Sequence, residues 1–162
     1  MNDQINFEGI VFTDANGVEV PYDGSDVSWR VSVYALVVQA NTILLVKNKK
    51  EKLYDLPGGG LRMDEEIVEA IMREGLEEAG ARVRVGPLVD YHQDYFFHKG
   101  AYYRTLLLFF EASLIGSLGV PTDEQMEAAH FYAMDEMRKL PMLDYVKKTI
   151  TNYCNADATE RA

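Results

Sequence analysis

The sequence predicts an α+β protein, or an α/β/α sandwich, in which a dominant sheet is covered by helices. Two observations carry this. Most apolar runs are short, rich in Val, Tyr and Leu, and bounded by turn residues, as strands are. Only two stretches have the pattern of substantial helices, one ending at Gly80 and one following Pro141. With 162 residues the chain has the size of one domain and can bury a core without cross-links.

Ile5 to Phe12 is β-rich, Asp14-Ala15-Asn16-Gly17 is a turn signal, and Val18-Glu19-Val20 resumes before Pro21. An N-terminal hairpin is expected there. Val31 to Gln39 and Thr42 to Lys47 are almost continuously apolar around Asn41, which predicts a second hairpin of central strands. Tyr54-Asp55-Leu56 leads into the sharp loop Pro57-Gly58-Gly59-Gly60. Glu66 to Ala79 is full of helix formers, and Gly80 stands where a C-terminal cap belongs. Val83 to Val85 and Leu88 to Gln93 are strand-like on either side of Gly86-Pro87. Ala101 to Ala112 reads as a long strand after a His98-Lys99-Gly100 turn, and Ser113 to Thr122 as a loop. A strand over Ala129 to Met134 and a short helix over Asp135 to Leu140 follow. Pro141 is expected in the first turn of a final helix, where Met142, Leu143, Val146, Ile150 and Tyr153 recur at helical spacing. The organisation expected is a hairpin extension at 1–28, the main body at 29–152 and a polar tail at 153–162.

Composition narrows the function classes. Asp and Glu number 26 against 16 Lys and Arg, a net charge of -10. Duplex nucleic acid is an unsuitable partner, because such binding is driven by basic side chains displacing counterions from phosphates. The one cysteine, Cys154, forms no intramolecular disulfide and no Cys-rich zinc site, which suits a reducing, cytoplasmic setting. Met1-Asn2-Asp3-Gln4 lacks the basic patch of a signal peptide. The apolar stretch from Val31 to Val46 is shorter than the ~20 residues of a spanning helix, so no membrane role is expected. Neither a G-x-S-x-G elbow nor a Walker-type G-K-[ST] occurs.

The predicted helix at 66–79 holds the chemistry. Glu74, Glu77 and Glu78 stand at i, i+3 and i+4, so their carboxylates share one helix face. Like charges at this spacing repel, and they crowd the helix end whose dipole prefers cations. Local rules broken together in this way mark functional sites. Hard oxygen ligands on a rigid helix suit Mg²⁺ or Mn²⁺.

Gly59, five residues, Glu65, seven residues, then Arg73-Glu74-Gly75-Leu76-Glu77-Glu78-Ala79-Gly80 resembles the signature of the Nudix hydrolases, G-x5-E-x7-R-E-U-x-E-E-x-G-U, with U a bulky aliphatic. All seven fixed positions are present. Two U positions depart: Gly75 and Ala81 stand where the family carries packing aliphatics, which puts the docking of the helix in question. The loop Arg62-Met63-Asp64 is weakly similar to that of GDP-mannose mannosyl hydrolases.

The resemblance implies a Nudix-type α/β/α sandwich with a mixed sheet, an N-terminal hairpin and a C-terminal helix. It implies metal-dependent hydrolysis of the pyrophosphate bond in a nucleoside diphosphate linked to a moiety X: a nucleoside triphosphate, nucleotide sugar or ADP-ribose type of substrate. Glu74, Glu77, Glu78 and the backbone carbonyl of Gly59 are the implied metal ligands, for Mg²⁺ or Mn²⁺. Arg73 is expected to pair with Glu77 or with Glu65. Glu124, with Glu127 in reserve, is the candidate for the further acid that many members place before a late strand. The general base stays open among Glu77, Glu78 and Glu124. Arg30 heads the strand that lines the family's pocket and is the first candidate for substrate phosphate, with Arg104 beside it. Tyr54 and Tyr95 are candidates to stack on a base, as are Trp29, Phe96, Phe97 and Tyr102. A homodimer is compatible with the family. The alternative reading is a Nudix-fold module that binds a nucleotide without cleaving it.

Overall fold

A computed structural model describes residue 7 and residues 9–160. Ile5, Asn6 and Glu8 of the first expected strand lie outside the described residues. The strand itself is only Phe12–Thr13 (β1), because Ile10 N–H donates to the Phe7 carbonyl and turns the chain just before it. β1 pairs with Glu19–Val20 (β2) as an antiparallel hairpin. Asp14 builds the turn: one carboxylate oxygen accepts the N–H groups of Asn16 and Val18.

Val27–Gln39 (β3) and Thr42–Lys47 (β4) form the expected second hairpin. Ala40 and Asn41 both have positive φ, 47° and 62°, the two-residue geometry whose twist matches the flanking strands. The pair opens after two register positions. β3 then pairs with Gly58–Gly60 (β6), while β4 takes Tyr54–Asp55 (β5) on one stretch and His130–Ala133 (β9) on another. Val83–His98 (β7) is one strand where two were expected; Gly86-Pro87 survives as a bulge between Val85 and Leu88. It turns through Lys99-Gly100 into Ala101–Leu114 (β8), which runs parallel to β3. The sheet order is β2-β1-β7-β8-β3-β4-β5 and the sheet is mixed.

The helices cover both faces. Ile67–Ala79 (α1) starts at Glu66, whose N–H donates to the Glu69 carboxylate. It ends at Gly80, left-handed at φ 61°, where Gly80 and Ala81 N–H groups cap the Leu76 and Gly75 carbonyls. Met134–Met137 (α2) is shorter than expected. The last helix, Asp144–Glu160 (α3), begins three residues after Pro141, whose carbonyl instead accepts from Tyr54 N–H. It continues through residues 153–160, so that part of the expected tail is helical. No helix among the described residues is long and apolar enough to cross a membrane.

Strand alternation explains the unbroken apolar runs. Val33, Ala35 and Val37 of β3 and Leu44 and Val46 of β4 pack with Ala70, Ile71 and Ala79 of α1. Leu36, Ile43 and Leu45 face the other way, with Phe109, Val146 and Ile150 under α3. A strand buried on both faces has no polar side to show. The departures at Gly75 and Ala81 fit the same packing. A Cβ at Gly75 would lie 3.0 Å from the Ala81 carbonyl oxygen, so two small residues let the chain return close along α1 into β7. The docking of the helix is kept through closeness instead of bulk.

The α1 C-terminus gives a stability prediction. A Cβ at Gly80 would meet the Gly119 carbonyl carbon at 2.5 Å, on top of the left-handed backbone. Gly80→Ala is expected to destabilise by about 1–3 kcal/mol and lower the thermal midpoint by several degrees. Thermal unfolding followed by circular dichroism checks this, and an unchanged midpoint would show that the Gly119 loop moves aside freely.

Candidate active site

One arginine organises the acidic helix. Arg73 Nε donates to Glu65 Oε1 at 2.6 Å and Nη2 to Glu65 Oε2 at 2.9 Å, a bidentate pair. Nη1 donates to Glu74 Oε1 at 2.6 Å and Glu77 Oε2 at 3.1 Å. Nη2 also reaches the Gly60 carbonyl at 3.3 Å. Both expected partners, Glu77 and Glu65, are therefore held at once, and the guanidinium ties α1 to the loop that precedes it. Glu65 is drawn down to about 2 by this arginine. Arg73 is itself raised, first by Glu65.

Glu74 and Glu78 face inward. Glu74 is buried, and burial raises its pKa against the opposing pull of Arg73. Glu78 is pushed up to about 8, by burial first and then by the neighbouring Glu74, Asp55 and Asp123. Its Oε2 accepts the Gly58 N–H at 3.0 Å. A Cβ at Gly59 would sit 2.7 Å from Glu74 Oε1. Only glycine lets the β6 backbone lie against that carboxylate.

These groups open onto a cleft of two adjoining lobes, about 310 and 390 Å³. Arg30, Asn48, Asp55, Gly58, Gly59 and Glu78 line both lobes. Glu74, Tyr54, Lys99 and Asp123 line the second. Phe96, Asp94 and Tyr145 line the first. Among the described residues no three acidic, histidine or cysteine side chains close up as a finished metal cage. What converges is an all-oxygen donor set around Glu74, Glu78 and the β6 backbone, which suits a hard divalent cation.

Several expected site residues lie elsewhere. Glu77 lines neither lobe; its side chain is 40% exposed, held by Arg73 and 3.9 Å from Arg62. The Glu124 side chain lines neither lobe, and its carbonyl accepts from Lys49 Nζ. Glu127 is taken by Lys47 at 3.2 Å and Lys52 at 3.4 Å. Tyr95 and Arg104 form their own pair, the guanidinium 4.3 Å from the ring centre, and Arg104 also donates to Gln93. Alternation is the reason. Tyr95 and Arg104 are register partners on the face opposite that of Asp94, Phe96 and His98. Tyr95 thereby joins Phe12 in an edge-on aromatic cluster, and Phe97 packs on Tyr102. Trp29 is 67% exposed and off the cleft.

Sequence reasoning did not single out the lining residues Asn48, Asp94, Lys99 and Tyr145, and it missed two further acids beside Glu78, Asp55 and Asp123. Burial raises Asp55 to about 7. Each neighbours a residue that was considered, Tyr54 and Glu124. Asp123 also looks like an ordinary turn residue, since Oδ1 accepts the Gln125 N–H. Phe96, a stacking candidate, does line the cleft, and the signal for its neighbours was the alternation Asp94-x-Phe96-x-His98.

A sheet that splits at β3 around a glycine loop, with α1 delivering its carboxylates there, brings Gly59, Glu74 and Glu78 of the Nudix signature to one cleft. The NUDIX domain model matches residues 28–154, and the chain belongs to the Nudix family. It is similar in structure to a NUDIX hydrolase from Nitrosomonas europaea (24% identity, TM-score 0.69, covering 79% of this chain and 90% of that one). It is similar to a MutT protein from Methanosarcina mazei (17%, TM-score 0.67, 83% and 99%). It is also similar to an ADP-ribose pyrophosphatase from Streptococcus suis (24%, TM-score 0.63, 79% and 91%). No curated protein sequence matches it.

The Arg73–Glu65 pair predicts an acid dependence of stability. Glu65 titrates near 2 in the fold, below its ordinary 4.5. Its contribution is therefore complete above about pH 4.5 and is lost as pH falls toward 2. Arg73→Met removes the partner, so the stability gap between wild type and variant should be widest at neutral pH and shrink below pH 4.5. Denaturant titrations at pH 7, 4 and 3 measure it; a gap that stays constant across that range refutes the assignment.

Proposed function

We propose that the protein hydrolyses the pyrophosphate bond of a nucleoside diphosphate linked to a second moiety X, with Mg²⁺ or Mn²⁺ as cofactor. One observation carries this reading: α1 and the Gly58–Gly60 strand bring Glu74, Glu78 and Gly59 to the same cleft that Arg30 lines from β3. The printed name of the Streptococcus suis neighbour, an ADP-ribose pyrophosphatase, supports the substrate class.

Glu74, Glu78 and the Gly59 carbonyl would hold the cation, which when bound supplies Lewis acidity and offsets the charge of the pyrophosphate. Arg73 fixes Glu74 and Glu77 so that these carboxylates do not have to reorganise as substrate arrives. Arg30 binds a phosphate oxygen of the substrate, and Tyr54 borders the same lobe. Of the three candidates for general base, Glu78 is the one whose side chain lines the cleft. Burial and neighbouring charge raise Glu78, which stays ionised beside a bound cation and so receives the proton of the attacking water, and hydroxide attacks phosphorus in line. Asp123 takes the position expected of Glu124, adding negative charge beside Glu78. The products are a nucleoside monophosphate and phosphorylated X.

The test is turnover of a panel of nucleoside triphosphates, nucleotide sugars and ADP-ribose with Mg²⁺, products resolved by chromatography. At least one should be cleaved, chelator should abolish the activity, and Glu78→Gln should fold normally while losing about 10²–10⁴ in kcat. Nucleotide binding without cleavage of any compound would instead identify a binding module.

A further inference from the structure

The first lobe of the cleft is walled in part by residues that precede the matched domain. Thr13, Asp14 and Ala15 line it, and Ala15 borders both lobes, whereas the NUDIX match begins at residue 28. The β1–β2 hairpin is fastened in three places. Thr13 pairs with Phe96 of β7, itself a lining residue. Phe12 is fully buried and stacks on Tyr22, whose ring is edge-on to Tyr102. The Pro21 carbonyl accepts the Tyr102 hydroxyl at 2.7 Å. At the tip, Gly17 lies close to Leu143, which also lines both lobes: a Cβ there would be 3.3 Å from a Leu143 methyl. The turn is thus seated against the start of α3.

The two lobes share Arg30, Asn48, Asp55, Glu78 and His98 and differ in what they add. The second adds Glu51, Glu74, Lys99, Asp123 and Gln125, the side where phosphates and cation belong. The first adds Phe96, Leu107 and Tyr145, with Asp94 and Thr105 beside them. An aromatic and aliphatic wall next to polar groups is what a flat heterocycle requires.

We infer that the N-terminal hairpin is a specificity element of the active site: its turn, through Ala15, forms one wall of a subsite for the nucleoside of the substrate. This rests on the hydrolase reading for the name of the ligand, and its test is a binding measurement that needs no turnover. AMP, GMP, CMP and UMP, the possible nucleoside products, are titrated calorimetrically against wild type, Ala15→Trp, Ala15→Leu and Val18→Trp, with inorganic phosphate as the reference ligand. Val18 is on the same turn, 58% exposed, and lines neither lobe. Ala15→Trp should weaken the best-bound nucleotide about tenfold or more, and Ala15→Leu, which adds less bulk and keeps the test open if the Trp variant misfolds, should weaken it less. Phosphate binding should weaken far less than nucleotide binding in both, and Val18→Trp should bind every ligand as wild type does. Equal nucleotide affinity in wild type and both Ala15 variants overturns the inference, as does a parallel loss of phosphate and nucleotide. A chain that binds AMP through Ala15 yet cleaves nothing in the panel overturns the hydrolase reading and leaves the subsite standing.

Discussion

The structure depends on a single guanidinium. Arg73 contacts Glu65, Glu74, Glu77 and the Gly60 carbonyl. Without it, four negative or electronegative groups from a loop and a helix would face one another in a poorly hydrated setting. Its side chain is only 16% exposed, so these contacts are screened far less than surface ion pairs are. A lysine has no fork with which to meet Glu65 in bidentate fashion while reaching two further carboxylates. The loop from Gly60 to Glu65 is therefore fixed relative to α1 by the guanidinium, which contacts Gly60 and Glu65, and by Leu61, which packs against the same apolar cluster as Ala70 and Ile71.

The second constraint is the division of β3. Its C-terminal part is buried on both faces and forms the centre of the core; its N-terminal part, from Arg30 to Tyr34, lines the cleft through alternate residues. One strand thus runs from the fully buried core directly into the cleft. The branching of its partners, β4 on one stretch and β6 on another, opens the space between them. A site mounted on such a strand inherits its precision. The glycines of β6 let the backbone rest against Glu74, so carbonyl and carboxylate approach each other without an intervening side chain.

What was legible in the sequence was local. The helix at 67–79, its glycine cap, the β3–β4 turn and the carboxylate face all follow from spacings within a few residues. Arg73 with Glu77 was legible for the same reason, being one helical turn apart. The features that sequence reasoning misplaced depend on phase or on distance. Tyr95 and Arg104 have side chains that suit nucleotide recognition, but the strand turns them away from the cleft; shifting the phase by one residue yields Asp94 and Phe96. The loop before β9 was singled out for Glu124, yet the acid that lines the cleft is Asp123, and its turn sets this: Asp123 and Thr122 N–H groups both donate to the Glu77 carbonyl, which docks this loop on the end of α1. No pattern in residues 122–127 encodes that contact with residue 77. The length of α3 was underestimated because its polar C-terminal stretch lacks the apolar periodicity that marks its first half.

The acidic excess can now be placed. Between Asp64 and Glu78 there are seven acids and one base, most of the net charge of -10 within one helix and its entry loop. The last turn of α1 contains no basic residue, although the helix dipole favours cations there. Two compensations make this tolerable within the fold: Arg73 neutralises the carboxylates from one turn back, and the Gly80 cap satisfies the terminal carbonyls without a charged side chain. Glu78 is left out of both. It is not among the arginine's partners, accepts a hydrogen bond from the Gly58 N–H, and is neighboured by Glu74, Asp55 and Asp123. Charge is thus balanced by Arg73 on the outer side of the helix, while on the inner side burial pushes Glu78 and Asp55 toward their protonated forms. On the proposed hydrolase reading the inner side is left to a cation and its anionic substrate, so that the binding of either one would favour the other.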